Sequence, residues 1–472
     1  MKRHKDFQTL RNFLKIYESA IKSDDGNRCL ISPHPKLKNK IKKEIAKIKE
    51  SAKGSIFASN IKFNEPSRPG FNDGLIYPGD SFPLGTALST AKNARLTKSP
   101  LRGIVRVLVV LVDFDDKPMK KSKKHFENLF FSKNVLPTGS VREYFSEVTN
   151  KLIDIQGEVI GPYRLPKKLK VYANGDSGTG EKFPNARTMA RDAAILCNPD
   201  VNFAKYDNDK DQYVDAFVVI HAGQGAEIND NPNDIWSHKW LLQGGPFVGD
   251  HETKVYSYLT VPENCRLGVC AHELGHLLFG FPDLYDSDYS SEGVGDWCLM
   301  GGGSWNNGGL TPAHPSSWCK CHQGWVKVKT PKTNSKNVVV ADVKEGKTVY
   351  KLWKNGDPGN EYFLVENRQR TKFDTHLPSS GLLIWHINEN ATSNDNEKRY
   401  RVTLIQADGK KHLEKGKNRG DAGDCYPGKT NNKHFDQTSK PKSISHGGKD
   451  TTVGINNIRK SGSKVAIDIK VK

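Results

Sequence analysis

The sequence predicts an α+β protein built from more than one structural unit. Three observations carry this. IVRVLVVLV at 104–112 is apolar and β-branched over almost its whole length. Similar runs alternate with amphipathic helical stretches as far as residue 330. From 331 onward, short β-rich runs follow one another with no long helical pattern between them. At 472 residues the chain exceeds one compact core, and its composition shifts divide it into 1–100, 101–330 and 331–472.

The first segment opens MKRHKDFQTLRNFLKIYES. It has a basic start but no apolar stretch of roughly 7–15 residues and no small-residue cleavage site, so as written it is not a secretory signal. KLKNKIKKEIAKIKES at 36–51 sets Leu37, Ile41, Ile45 and Ile48 at helical spacing among lysines, an amphipathic basic helix. Residues 59–100 turn rich in Asn, Ser, Pro and Gly and read as an extended linker. The segment looks like a separate leader.

In the second segment, 104–112 is a buried strand ending at Asp113-Phe114-Asp115-Asp116. SVREYFSEV at 140–148 is a helix. FPNARTMARDAAILC at 183–197 is a longer helix with Met189, Ala193, Ile195 and Leu196 expected inward, and DAFVVIHAG at 215–223 is another buried strand. The third segment offers KNVVVADV, KTVYKLW, EYFLVENRQ, GLLIWHIN, RVTLIQAD and KVAIDIKVK, an all-β domain most simply built as a sandwich.

Composition bounds the function. No apolar run approaches the roughly 18 residues that a membrane helix needs, so no membrane span is expected. The net charge of +19 is uneven: +11 over 1–100, −3 over 101–330 and +11 over 331–472. Basic flanks can hold nucleic acid or an anionic surface, but no nucleic-acid motif accompanies them, and a solvated surface explains them. No nucleic-acid partner is expected. Eight cysteines are too sparse for a disulfide scaffold. Cys265-x4-Cys270 and Cys319-x-Cys321 fit either bridges or buried thiols.

The most informative stretch is GVCAHELGHLLFGFPDLYDSD at 268–288, which contains His272-Glu273-x-x-His276. On a helix, i and i+4 share a face, so both imidazoles can reach one metal ion. Leu267, Cys270, Ala271, Leu274, Leu277 and Leu278 form one apolar stripe; Val269, His272, Glu273 and His276 form a second. Gly280 can stop the helix and Pro282 keeps it stopped. A catalytic zinc takes three protein ligands and leaves one position open. Asp283 is the first choice for the third ligand because it follows the Gly280 turn, with Asp286 and Asp288 behind it. Glu273 adjoins a ligand and is placed as general base toward a zinc-bound water, whose pKa the ion lowers to about 7. These residues point to hydrolysis of a protein or peptide substrate around one catalytic zinc ion. The competing class is a non-catalytic zinc-containing binding protein that uses its basic flanks.

Elsewhere, Asp207, Asp209, Asp211 and Asp215 stand at positions 1, 3, 5 and 9 of a loop, with the Tyr213 carbonyl at position 7. This is calcium-loop spacing, although Gln212 replaces the glycine of an EF-hand and no glutamate stands at position 12. A structural calcium ion is expected there. Asp113, Asp115 and Asp116, and Asp421 with Asp424, are weaker cation candidates. His221, His238, Tyr285 and Tyr289 are candidates for stabilising an oxyanion.

HELGHLLFGFPDLYD followed by VGDWCLMGGGSWN at 294–306 resembles the immune inhibitor A-like family of secreted bacterial zinc metalloproteases. LVVLVDFDD, GSVREYFSEVTNKL, YDNDKDQYVDAFVVIHAGQG, IWSHKW and GDAGDCYPG are similar to the same family, so the likeness spans most of 101–430. CLISPHPKL at 29–37 is similar to the start of its pro-region. The resemblance implies a zincin-like catalytic domain with a mixed sheet and an active-site helix, a pro-segment before it, a β-sandwich after it, and action outside the cell. It also implies that Met300 supplies a methionine turn beneath the metal. The place of Cys29 in the pro-like stretch suggests a thiolate that fills the open zinc position and keeps the enzyme latent. One departure stands out: Phe279 occupies the position, three after His276, where the shorter zincin pattern has glycine. Gly280 comes one later, so the turn leading to the third ligand shifts by one residue.

Overall fold

The computed structural model describes residues 29–51, 100–391 and 393–472, with side chains up to residue 47 in the first stretch. The basic opening at 1–28, the side chain of Ile48 and, apart from Pro100, the linker at 59–100 lie outside the described residues. The chain forms two compact units, Met1–Glu143 with Asp154–Pro282, and Tyr144–Ile153 with Asp283–Lys472. Both are mixtures of helix and sheet.

The first unit is organised by a six-stranded sheet. Its strands are β1 (Cys29–Leu30), β2 (Gly103–Asp113), β3 (Ile153–Arg164), β4 (Phe217–His221), β5 (His238–Leu241) and, after the small pair β6 (Phe247–Val248) and β7 (Lys254–Val255), β8 (Ser257–Pro262). The order is β1-β5-β8-β4-β2-β3. The apolar runs at 104–112 and 215–223 become the central parallel strands β2 and β4, in register from Leu108↔Phe217 to Val112↔His221. Burial on both faces is why these strands are apolar throughout rather than alternating. On one face, Leu108, Val110, Val112, Phe217 and Val219 share a core with the helix Ala186–Cys197.

That helix corrects one expectation. Its inward stripe is Ala186, Met189, Ala190, Ala193, Ala194 and Cys197, while Ile195 and Leu196 are 48% and 38% exposed. The stripe follows i, i+3, i+4, i+7 from Ala186, and positions 195 and 196 fall off it.

The described part of the leader is built into this unit. Cys29 and Leu30 pair antiparallel with Lys239 and His238 and form the edge strand of the sheet. The Ile31 amide donates to Ser237 O at 3.1 Å, and Trp236 Nε1 donates to Ile31 O at 2.8 Å. The helix Pro35–Ser51 follows, with Leu37 and Ile41 buried as its spacing predicts.

The second unit holds β9 (Lys327–Lys329), β10 (Ser335–Val340), β11 (Thr348–Leu352), β12 (Glu361–Arg368), β13 (Gly381–Asn388), β14 (Val402–Leu404), β15 (Gly454–Ser461) and β16 (Lys464–Lys470). They form a five-stranded sheet, β14-β13-β12-β11-β9, and a three-stranded sheet, β10-β16-β15. One apolar core takes Phe363, Val365, Leu382 and Ile384 from the first and Ile455, Val465, Ile467 and Ile469 from the second. Residues 283–330 fold with these strands: Val328 pairs with Val349, and the Glu292 amide donates to Leu413 O at 3.0 Å. The compact division therefore falls at Pro282/Asp283, whereas the composition shift lies near 331. None of the eight cysteines is joined in a disulfide.

An ionic network is buried in this second unit. Arg368 grips Asp374 with Nε at 2.7 Å and Nη2 at 2.5 Å, both side chains fully enclosed. Lys344 Nζ lies 3.3 Å from the same carboxylate. Burial alone would raise the Asp374 pKa, but Arg368, His314 and Lys344 hold it well below the usual carboxylate range. Removing one member strands the opposite charge. Asp374→Ala is expected to lower stability by about 3–5 kcal/mol, read as a shift of the urea midpoint. A loss under about 1 kcal/mol would contradict the buried-pair account.

Candidate metal centre

The helix Leu267–Phe279 carries the His-Glu-x-x-His motif, and all thirteen of its residues are buried. The two-stripe expectation is thus exceeded: the helix is enclosed on every side and packs on β8, β5 and β1. It ends at Gly280, in the left-handed region at φ 59°, whose amide donates to the carbonyls of Gly275 and His276. A side chain at that φ is strained, so glycine fits this stop.

The turn also serves the metal face. The Phe281 amide donates to Gly275 O at 3.1 Å. The Phe281 carbonyl returns to His276 Nδ1 at 2.5 Å. A carbonyl only accepts, so Nδ1 carries the hydrogen and the Nε2 of neutral His276 holds a lone pair. That Nε2 faces His272 Nε2 at 3.0 Å, with the rings edge to face. Two imidazole nitrogens so placed share a proton or a cation between them. A tetrahedral zinc with nitrogens at about 2.0–2.1 Å would hold them about 3.3 Å apart, a few tenths wider. The donor set fits the ion. Glu273 sits between the two histidines in sequence and is fully buried.

Cys29, 247 residues before His276, reaches the same place. Its Sγ and a ring nitrogen of His276 lie within 4.8 Å of one another. The β1–β5 pairing sets that position, and no sequence spacing could have shown it.

Asp283, Asp286, Asp288 and Met300 belong to the second compact unit. Asp283 is half-buried at its start. The Met300 carbonyl accepts the Leu284 amide at 2.8 Å, which ties the methionine segment to the residue after Asp283. Asp286 is spent locally: its Oδ2 accepts Ser291 N at 2.8 Å, Ser291 Oγ at 2.5 Å and Ser290 Oγ at 3.0 Å. Burial, helped by the Asp288 carboxylate, pushes its pKa up to about 8. Asp288 Oδ1 accepts the Ser290 amide.

In the acidic loop, Asp207, Asp209 and Asp215 each bring an oxygen within 4.8 Å of the other two. Asp211 stands outside that group, with Oδ1 accepting the Tyr213 amide at 2.9 Å. Asp207 accepts the amides of Asp211 and Gln212 at 3.0 and 2.9 Å, and Asp215 accepts that of Asn208 at 2.6 Å. Gln212 takes φ 72°, so it makes the left-handed bend usually left to glycine. The weaker cation candidates have other roles here. Asp113 pairs with Arg164 at 2.6 Å, while Asp424 Oδ2 accepts Trp297 Nε1 and the Asp421 amide, both at 2.9 Å.

Of the oxyanion candidates, His238 spends both ring nitrogens, on Trp236 O at 2.6 Å and Tyr258 Oη at 2.9 Å. His221 ends β4, with Nδ1 2.9 Å from Ala222 O and no partner for Nε2 among the described residues. Burial holds its pKa below the ordinary value. Tyr285 and Tyr289 stack on each other in the second unit.

Residues 101–332 match the family model described as immune inhibitor A peptidase M6, catalytic domain. Pre-pro-metalloprotease PrtV of Vibrio cholerae serotype O1 (strain M66-2) is 30% identical over 270 residues, which is 46% of this chain and 29% of that protein. Immune inhibitor A of Bacillus thuringiensis subsp. alesti is 28% identical over 327 residues, which is 57% of this chain and 47% of that protein. The matches thus span under half the length of these curated relatives. It is residues 101–332, which include the buried His-Glu-x-x-His helix, that match the catalytic domain of the immune inhibitor A peptidase M6 family.

Proposed function

We propose that this chain is a zinc-dependent endopeptidase that hydrolyses peptide bonds in proteins. The observation that carries the reading is the pair of Nε2 atoms of His272 and His276, 3.0 Å apart on a buried helix with Glu273 between them. The match of residues 101–332 to the peptidase family model and the metalloprotease name of a relative support it. His272 and His276 would hold the ion, with Asp283 as third ligand and Met300 as the methionine turn. Zinc bound there acts as a Lewis acid toward the peptide carbonyl and acidifies water. Glu273 takes the proton of the attacking water. When the C–N bond breaks, it passes that proton to the leaving amine, so the carboxylate ends as it began. The Phe281 carbonyl fixes the tautomer of His276, which keeps Nε2 free to donate its lone pair.

Around this centre, 1–100 would be a pro-like segment, 101–330 the zincin-like catalytic domain and 331–472 a β-sandwich. Asp207, Asp209 and Asp215, with Asp211 and Tyr213 beside them, would hold a structural calcium ion. Cys29 would occupy the open zinc position in a latent form, for which its closeness to His276 is the support. The substrate is a protein or peptide, met outside the cell.

Three measurements test these roles. In a Cys29→Ala background, Glu273→Ala is expected to keep the zinc content of its parent and lose casein hydrolysis by at least about 10²-fold. If both forms hold zinc and neither cuts, with or without calcium, the binding-protein alternative replaces the enzyme. Cys29→Ala is expected to raise hydrolysis by the full-length chain, and an unchanged rate removes the latency role. Calcium is expected to raise the Tm of the wild type by a few degrees, the scale of about 2.7 kcal/mol at a hundredfold excess over Kd, and to leave Asp209→Asn unmoved. Equal shifts in both would place calcium elsewhere.

A further inference from the structure

A second cluster of ligand-type side chains lies in the second compact unit, and the peptidase reading uses none of them. Glu361 opens β12, His386 lies on β13, and His446 comes from the loop between β14 and β15. The register sets Phe363 opposite His386. Glu361, two residues before Phe363, therefore shares a face with His386 as its diagonal neighbour. His386 Nε2 is 2.9 Å and His446 Nδ1 3.0 Å from the same oxygen, Glu361 Oε1. The His446 backbone amide also donates to that oxygen, at 2.6 Å. The two imidazoles stack with centroids 4.2 Å apart and planes 20° apart.

We propose that Glu361, His386 and His446 form a second divalent-metal site, of the zinc class, separate from the histidines of the helix Leu267–Phe279. One ligand atom from each residue lies within 4.8 Å of the other two. Two imidazoles and one carboxylate are a donor set that zinc accepts. The contacts of 2.9 and 3.0 Å are a few tenths shorter than the separation of about 3.3 Å that ligands take around a tetrahedral zinc. Small side-chain rotations therefore make the room. Without the ion, ring N–H groups occupy its place and donate to the carboxylate. Binding replaces those hydrogens, either by release or by moving them to the other ring nitrogen.

Access and preorganisation favour the site. The side chains of Glu361, His386 and His446 are 23%, 7% and 13% exposed, so the cluster is sheltered yet open to solvent. Hydrogen bonds from Ser445 N to Lys449 O and from Gly448 N to Ser445 O, both 2.9 Å, shape the turn that presents His446. An ion there would clip this loop to the β12–β13 pair, in the manner of a structural metal.

The full-length chain tests this with zinc as the probe. Wild type and His446→Ala are loaded with excess zinc at neutral pH, freed of unbound metal, and assayed for metal and protein. The variant is expected to hold one zinc per chain fewer, and equal contents overturn the proposal. Should the variant not fold, anomalous scattering at the zinc edge from zinc-loaded wild-type crystals decides. A peak bounded by His386 Nε2, His446 Nδ1 and the Glu361 carboxylate is expected, and its absence at saturating zinc overturns the site. The two metal centres fail separately, because His272→Ala removes only the helix ion and His446→Ala only this one.

Discussion

A neutral imidazole carries one hydrogen and one lone pair, and inside a protein each must be given something to do. On the helix Leu267–Phe279 two imidazoles meet this requirement one turn apart, in a setting with almost no access to water. The Phe281 carbonyl settles His276 by taking its Nδ1 hydrogen. Much around the helix follows from that bond. The chain has to turn back at once, so the helix stops at Gly280 in a conformation that favours glycine. The helix has to be covered, so it lies on β8, β5 and β1, and the last of these is supplied from far upstream in the chain.

Much of this was legible in the sequence, for physical reasons that differ by element. The motif helix and its stop were readable because a fixed i, i+4 spacing and one glycine encode them locally. Strands β2 and β4 were readable because burial on both faces leaves an apolar run with no alternation. The inward face of Ala186–Cys197 was misjudged at Ile195 and Leu196, where side-chain size argued for burial and helical phase argued against it. The short strand β9 and the strand β15, with sequence GINNIRKS, lack an apolar run and took their conformation from their partners. The meeting of Cys29 with His276, and of Glu361 with His386 and His446, depends on pairing register and on a loop. No local pattern encodes either.

The buried charges of the second unit pull in opposite directions. Arg368 and Asp374 keep their charges because each neutralises the other at hydrogen-bond distance. Nearby, burial pushes the Glu147 pKa up to about 7 and draws Lys320 down to about 8, Arg368 adding to the second shift. His314 stands between them, 2.8 Å from Glu147 and 2.9 Å from Lys320 Nζ. Pairing and desolvation thus act within one network: pairing outweighs burial at Arg368 and Asp374, and burial outweighs pairing at Glu147 and Lys320.

No disulfide ties the edge strand Cys29–Leu30 to the sheet, and its covalent path to the neighbouring strands runs through residues 31–102. While that path is whole, its pairing with β5 is intramolecular and benefits from the high effective concentration of a tethered segment. A single break in the tether would turn the same contacts into a bimolecular complex. The paired residues, the flanking bonds and the buried Leu37 and Ile41 would then compete with dilution, and occupancy of the sheet edge would fall as the protein is diluted.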